Sequence, residues 1–299
     1  MRKSALFIVA AAVIFSTMEP VSKSIGGIMN PIALVLVRFS IGGLFLLPFC
    51  IHEMRKKNMY PNPRDFAMLG AGGLLFIFSN VLAQVAVEHT KASIVAIVFC
   101  TNPIFTIPLA MIFLKEKING KLIACILVCI AGIACFFAAE KDSLSLEGML
   151  FTLLPPIVFA FYNIISKKNM QRWNSGMIVT SLTFLAAGFV PAALCAVVDL
   201  DFFSGLSWEI GPQLLYLGLV VAGVGFYVYF RAIHESSAVI ASTTFYLKIA
   251  LAPVVAFLLL GEKIRPWSAV GIVLILCGSV PLMLMKLPRV EPSAAAQRA

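Results

Sequence analysis

The sequence predicts an all-α integral membrane protein of ten transmembrane helices, arranged as two inverted five-helix repeats. Three observations predict it. The 299 residues are 61% hydrophobic and only 12% charged, whereas a soluble domain carries roughly 25% charged residues to cover its surface. The chain breaks into ten apolar runs separated by short polar links. It also matches itself when slid by about half its length.

Composition comes first because it removes whole classes of function. A mean hydropathy of +0.98 excludes soluble enzymes, secreted modules and nucleic-acid binders together, so the formal charge of +9 needs a membrane explanation. The seven cysteines, Cys50, Cys100, Cys125, Cys129, Cys135, Cys195 and Cys277, lie in apolar runs without metal-ligand spacing and read as packing residues. The basic, apolar start MRKSALFIVAAAVIF resembles a signal peptide, but many apolar spans follow and Glu19 sits late in the segment. It reads as a retained first helix.

A hydrocarbon core of about 30 Å requires about 20 apolar residues at 1.5 Å each. The spans expected are Ser4 to Ile25, Pro31 to Ile51, Asp65 to Val87, Lys91 to Leu114, Asn119 to Phe137, Glu147 to Lys167, Gly176 to Val197, Ile210 to Ala232, Ser237 to Leu260 and Pro266 to Met285. They group as a first repeat over 1–138, a second and inverted repeat over 147–286, and a polar tail over 287–299. Sixteen of the 23 Lys and Arg fall in links on the side of both termini, against five (Lys23, Lys91, Lys141, Lys263 and Arg265) on the other, where Asp142 and Asp199 also lie. Cytoplasmic links retain the excess of positive charge, so both termini are expected in the cytoplasm and the charge needs no nucleic acid. Trp173, Trp208 and Trp267 fall at span ends, where indoles favour the headgroup region.

The repeat is visible without any comparison. A shift of 146 positions aligns Phe99 to Ile133 with Phe245 to Ser279 without a gap, setting LKEKI (Leu114 to Ile118) on LGEKI (Leu260 to Ile264), and Gly132 on Gly278. A shift of 144 sets Ser22 and Lys23 on Ser166 and Lys167. Five helices per copy is an odd number, so the second copy enters the membrane from the opposite face, the architecture of alternating-access transporters.

Three ionisable groups fall within spans: Glu19, Arg38 and Lys248. A charge at the hydrocarbon centre costs about 2.5 to 3.5 kcal/mol on insertion scales, so one that persists faces a cavity or a partner. Lys248 lies nearest mid-span, and its mate in the 146 register is Asn102. The pair marks the expected substrate site, with Lys248 holding an anion or neutralising Glu19, against the plainer reading of a fixed helix staple. Glu19 is a candidate to gain and lose a proton as its surroundings change; the plainer reading pairs it with Lys23, four residues on. Arg38 lies too deep for a casual surface charge and reads first as a partner to backbone carbonyls or Glu19, with direct substrate contact as its second reading. Asn80, Gln84 and Glu88 form one stripe on the third span that should face the bundle interior, with Asn80 and Gln84 as candidates to bind substrate or protons along a solvated path, against the plainer reading of inter-helix hydrogen bonds. Tyr246 is the aromatic best placed to meet substrate near Lys248. Pro20, Pro103, Pro108, Pro155, Pro156 and Pro253 each free a backbone carbonyl and serve either as gating hinges or as fixed bends. No metalloprotease, phosphate-loop or serine-hydrolase motif occurs, and no enzyme activity is expected.

With FSTMEPVSK in the first span, NPIALVLVRF opening the second, and Glu-Lys-Ile after the fourth and ninth, the sequence resembles the EamA branch of the drug/metabolite transporter superfamily. The resemblance covers nearly the whole chain. It implies a central cavity lined by spans one to four and six to nine, an arginine at the position of Arg38, and movement of small metabolites. The reading is a plasma-membrane secondary transporter: a proton-coupled exporter of amino acids, amines or related amphiphiles. Alternatives are proton-coupled uptake of an amine or a non-transporting membrane sensor. The partners implied are a small-molecule substrate, protons and the lipid bilayer, with a homodimer as an option; no cofactor is implied.

Overall fold

The computed structural model describes residues 2–114, 120–140, 145–173, 175–197, 207–235, 243–263 and 265–284, all in helices or short links. The Glu-Lys-Ile stretch after Leu114, the links holding Asp142 and Asp199, the start of the ninth span at Ser237 and the tail lie outside them. So does the side chain of Cys195.

The first expected span is two helices, α1 (Arg2–Ser16) and α2 (Met18–Ser24). They part at Thr17, whose hydroxyl donates to Ile14 O at 2.7 Å and lies 2.8 Å from Tyr216 Oη. The break precedes Pro20, which has no N–H to donate back to the preceding turn, and it puts Glu19 in the first turn of α2. The next two spans are longer than expected, α3 (Pro31–Lys57) and α4 (Pro63–His89). Each begins with proline after an asparagine cap: Asn30 Oδ1 accepts from Ile32 N at 2.9 Å. Asn62 and Asp65 satisfy each other's amides at 3.0 and 2.8 Å. Asn58, at φ 50°, closes α3 in the left-handed conformation.

The fourth span is also broken, into α5 (Ala92–Phe99) and α6 (Pro103–Leu114), with Asn102 in the gap. Then come α7 (Gly120–Glu140), α8 (Leu146–Trp173) and α9 (Gly176–Val197). The eighth span starts as α10 (Gly211–Leu215), widens into a π-helix over Tyr216–Gly225 and finishes as α11 (Phe226–Glu235). Last are α12 (Thr243–Leu260) and α13 (Ser268–Leu284).

Among the described residues, seven helical stretches are long and apolar enough to cross a membrane, and three shorter ones, Gly176–Gly188, Thr244–Leu260 and Ser268–Gly278, are apolar. The chain is a multi-pass, all-helical membrane protein. Leu6, Leu74, Ile112, Leu127 and Leu258 are more than half exposed, as an outer surface solvated by lipid requires.

Helix partners recur in a pattern. α4 packs on α8 as α1 packs on α11; α6 packs on α8 as α1 packs on α12; α3 packs on α9, and α7 on α13. The last contact is close enough to demand glycine. A Cβ on Gly132 would lie 2.8 Å from Ile275 N and 3.0 Å from Gly271 O, and one on Gly278 would lie 2.7 Å from Cys125 O and 2.9 Å from Cys129 N. Such backbone approach is how small residues hold membrane helices together.

Trp173 closes α8, at a span end as expected, but its indole is fully buried, in a cluster with Cys50, Met54 and Ile178. α8 runs on beyond Lys167, carrying the indole back under α3 and α9. Trp208 and Trp267 are exposed, 96% and 77%.

Candidate functional site

Glu19 and Lys248 meet at the centre of the helix bundle. Lys248 Nζ donates to Glu19 Oε1 at 2.6 Å, and the two side chains are 4% and 3% exposed. α2, which begins after the break at Thr17, and α5, which ends at the break over Cys100–Asn102, both pack on α12 and on each other. Two interrupted helices therefore frame the pair. The alternative partner for Glu19 is overturned: Lys23 reaches instead to Glu262 Oε1 at 2.8 Å and Thr90 O at 2.7 Å.

Arg38 lies beside this pair, 3% exposed. Its Nη1 donates to Ser22 Oγ at 3.4 Å and its Nη2 to Asn80 Oδ1 at 3.1 Å, with the guanidinium carbon 4.5 Å from the Phe39 ring centre. The expected backbone-carbonyl partners are replaced by side-chain oxygens because α2 and α4 present Ser22 and Asn80 directly. Asn80 Nδ2 donates to Phe76 O at 2.8 Å, which orients its oxygen toward Arg38. Gln84 Nε2 makes a long contact of 3.5 Å to Ser22 O.

Met18, Glu19, Ser22, Arg38, Asn80, Ala83, Gln84 and Val87 enclose a small polar cavity with about 10 Å³ open to the centre of a water molecule, room for one. Tyr246 is not among the lining residues; it packs against the apolar cluster that contains Ile94 and Ile97. Two polar atoms of the lining residues have no hydrogen-bond partner among the described residues: Glu19 Oε2 and Arg38 Nε.

Asn102 belongs to a separate, uncharged cluster. Asn163 Nδ2 donates to Asn102 Oδ1 at 3.2 Å and to Thr106 Oγ1 at 3.1 Å. Asn163 is absent from the sequence-derived candidates, yet the 144 shift that pairs Ser22 with Ser166 also sets Glu19 on Asn163.

The bundle differs at its two ends. At the end bearing the basic links, a cavity of about 620 Å³ opens between α3, α9 and α11, lined by Phe49, His52, Lys56, Met177, Tyr227 and Phe230 among others. Aromatic contacts lead inward from Phe230 on its wall: Phe230 to Phe226 at 6.4 Å, Phe226 to Phe184 at 4.9 Å, then Phe184 to Phe39 at 4.8 Å and to Phe76 at 5.1 Å. This apolar septum separates the cavity from Arg38. The opposite end is sealed by ion pairs. Glu262 accepts from Lys23, from the amides of Ala92 (2.9 Å) and Ser93 (3.2 Å), and from the Ser93 hydroxyl at 2.9 Å. Burial pushes the Glu262 carboxyl up, but the Lys23 and backbone hydrogen bonds outweigh it and hold the group below the ordinary carboxylate value. Beside it, Lys91 bridges Glu140 at 2.8 Å, and Glu140 also accepts from Arg265 N and Ser268 Oγ. Glu262 is a second residue absent from the sequence-derived candidates; its place in the repeated Glu-Lys-Ile motif was the available signal.

A many-helix membrane bundle with a buried ion pair, a small polar cavity beside it and one open end is the architecture a membrane transporter requires, and the family match makes that the class of this protein. The chain belongs to the EamA-like transporter family, whose sequence model matches it twice, over residues 2–138 and 146–284. It is 36% identical over 289 residues to an uncharacterized transporter of Clostridium kluyveri, covering 94% of this chain and 93% of that one. It is 26% identical over 212 residues to a probable terminal-alkyne amino-acid exporter of Streptantibioticus cattleyicolor, covering 71% of each. It is 24% identical over 252 residues to an S-adenosylmethionine uptake transporter of Rickettsia bellii, covering 83% of this chain and 81% of that one.

Proposed function

We propose that the protein is a proton-coupled exporter of small amphiphilic metabolites in the plasma membrane, with both termini cytoplasmic, working by alternating access between two inverted five-helix repeats. The observation that carries the reading is the buried Glu19–Lys248 pair, framed by two interrupted helices and bordering a polar cavity. Broken helices near the bilayer midplane are where inverted-repeat transporters bind substrate and coupling ion.

The repeat itself has geometric support. Applying the 144 and 146 shifts to Glu19–Lys248 gives Asn163–Asn102, and those two residues are also hydrogen-bonded. The 146 shift likewise carries Gly132, Ile275 and Gly271 onto Gly278, Cys129 and Cys125, and both triplets are in the same kind of backbone contact. A pseudo-dyad in the bilayer plane accounts for both coincidences. It also accounts for ten spans, with the three shorter helices serving as full members.

In this reading the sealed end faces outward and the 620 Å³ cavity faces the cytoplasm. A proton on Glu19 releases Lys248 from its partner, and substrate and proton exchange at the same carboxylate. The amino-acid exporter among the relatives supports outward movement; the uptake transporter supports a second reading in which the same cycle runs inward. The test is flux in reconstituted vesicles under an imposed pH step. Solute moving toward the acidic side in exchange for protons is the expected result; solute leaving the acidic side together with protons refutes export and supports the inward cycle, and absence of any pH-driven flux across a substrate panel refutes transport by proton coupling.

A further inference from the structure

The cavity of about 620 Å³ at the basic end is graded in polarity from its mouth inward. On α3, Phe49 lines the inner part and Lys56 and Lys57 the mouth, two helical turns further on and so about 10 to 12 Å away. α11 repeats the order, with Tyr227 inside and Arg231 one turn nearer the end of the helix. The Phe49 and Tyr227 rings meet at 4.6 Å. Among the described lining residues, Lys56, Lys57 and Arg231 stand against one acid, Glu53, and Lys57 already holds that acid at 3.0 Å. Lys56 is exposed and has no ion-pair partner among the described residues.

The cavity also borders the lipid surface. On α3, Leu44, Pro48 and Ile51 recur at helical spacing and are exposed, as a face covered by hydrocarbon requires. Phe49, His52 and Lys56, which line the cavity, form the adjoining face, about 90° round the same helix.

We propose that this cavity receives the head group of an anionic phospholipid from the leaflet on the basic side. The phosphate sits among Lys56, Lys57 and Arg231, the glycerol and upper chains lie against Phe49 and Tyr227, and the acyl chains continue along Leu44, Pro48 and Ile51. Charge at the mouth and apolar rings one or two turns deeper reproduce the polarity profile of such a lipid. Basic pockets between membrane helices suit anionic head groups. A zwitterionic lipid brings a second positive group to a mouth already in cationic excess, and a free phosphate leaves the rings uncovered. The inference stands apart from the transport reading, since it involves neither Glu19 nor a proton. A lipid seated between α3 and α11 binds only the state in which this end is open, and so stabilises that state.

The test uses the full-length protein in a neutral detergent, with the melting temperature followed as lipid is titrated into the micelles. Phosphatidylglycerol should stabilise at about 10-fold lower content than phosphatidylcholine, the difference expected for one charge-assisted contact at a part-exposed site. Combining Lys56→Gln with Arg231→Gln should abolish that preference. Arg64→Gln, which removes an exposed charge at the same end but outside the cavity, should keep it. Inorganic phosphate should give no comparable shift. Equal stabilisation by the two lipids overturns the inference, as does a loss in Arg64→Gln as large as in the double variant, because attraction to the basic end in general would then suffice. A shift with inorganic phosphate as large as with phosphatidylglycerol assigns the cavity to a soluble anion and overturns the lipid source. The comparison of lipids on the unaltered protein holds even if the double variant fails to fold.

Discussion

Lys23 and Glu262, 239 residues apart in sequence, form an ion pair at 2.8 Å that joins the end of α2 to the link after α12. The same carboxylate holds the first two amides of α5, so one side chain ties together three elements drawn from both halves. Glu262→Gln removes the charge from all these bonds at once. Hydrogen bonds to charged groups are worth about 1.5 to 3 kcal/mol each in favourable settings, and Lys23 is 31% exposed, which places the loss near the lower end of that range. The expected outcome is a lower melting temperature together with faster labelling of a cysteine introduced at Ser22, read from the side of Lys23.

The pH dependence of this seal has a definite sign. Glu262 is held below its ordinary value of 4.5 when folded. Its contribution to stability is therefore complete above pH 4.5 and disappears only as pH falls through the lower folded value. Melting temperature should be insensitive to this group from neutral pH down to 4.5 and fall below it, and in Glu262→Gln that acid-side fall should be shallower. An equal fall in both proteins would remove Glu262 as its source.

Removing one member of the Glu19–Lys248 pair leaves a charge buried without its partner. Such single losses cost about 3 to 5 kcal/mol, whereas replacing both members with neutral side chains is often close to harmless. Glu19→Gln and Lys248→Met should each lower the melting temperature strongly, and the double variant should recover much of it. Neither the singles nor the double should sustain pH-driven flux. A double variant that is stable and still couples flux to protons would show the pair to be a structural staple.

The uncharged twin behaves differently. Asn163→Leu leaves Asn102 Oδ1 and Thr106 Oγ1 without that donor, a loss of about 1 kcal/mol at a partly buried site. Stability should fall modestly, while the pH profile of flux keeps its shape because no charge has changed. A shifted pH profile would argue against Glu19 as the site of the proposed coupling proton.

Much of this was legible in the sequence, and the part that was not has a physical cause. Hydropathy gave the all-helical, multi-pass character, because lipid exposure writes itself into composition. Depth alone singled out Glu19, Arg38 and Lys248. Which partner each one takes was not legible: Lys23 is one turn from Glu19, but the break at Thr17 redirects α2 so that Lys248 is nearer and Lys23 meets Glu262. Tyr246 stands two residues from Lys248, yet its ring packs into the apolar cluster around Ile94 and Ile97. The widening of the eighth span into a π-helix over Tyr216–Gly225 leaves no clear mark in an apolar, glycine-rich run. Such tertiary choices depend on which helix surfaces meet, and single-chain periodicity does not encode that.

The crossing of α7 and α13 gives a test of the fold that is independent of the site. At Gly278 an added Cβ would lie 2.7 Å from Cys125 O and 2.9 Å from Cys129 N, and at Gly132 it would lie 2.8 Å from Ile275 N. All three are backbone atoms, which cannot turn aside as a flexible side chain can. Gly278→Ala must therefore push the two helices apart, and overpacking of this kind costs about 1 to 3 kcal/mol. Because α7 and α13 contribute no residue to the polar cavity, flux per folded molecule should stay near the unaltered level while the melting temperature falls. If the two glycines occupy equivalent places about a dyad, Gly132→Ala should cost a similar amount, and the double variant should cost less than the sum because the first substitution has already opened the contact that the second one crowds. Strict additivity would mean that the two close approaches are separate, and a difference of several-fold between the single variants would argue against the symmetry.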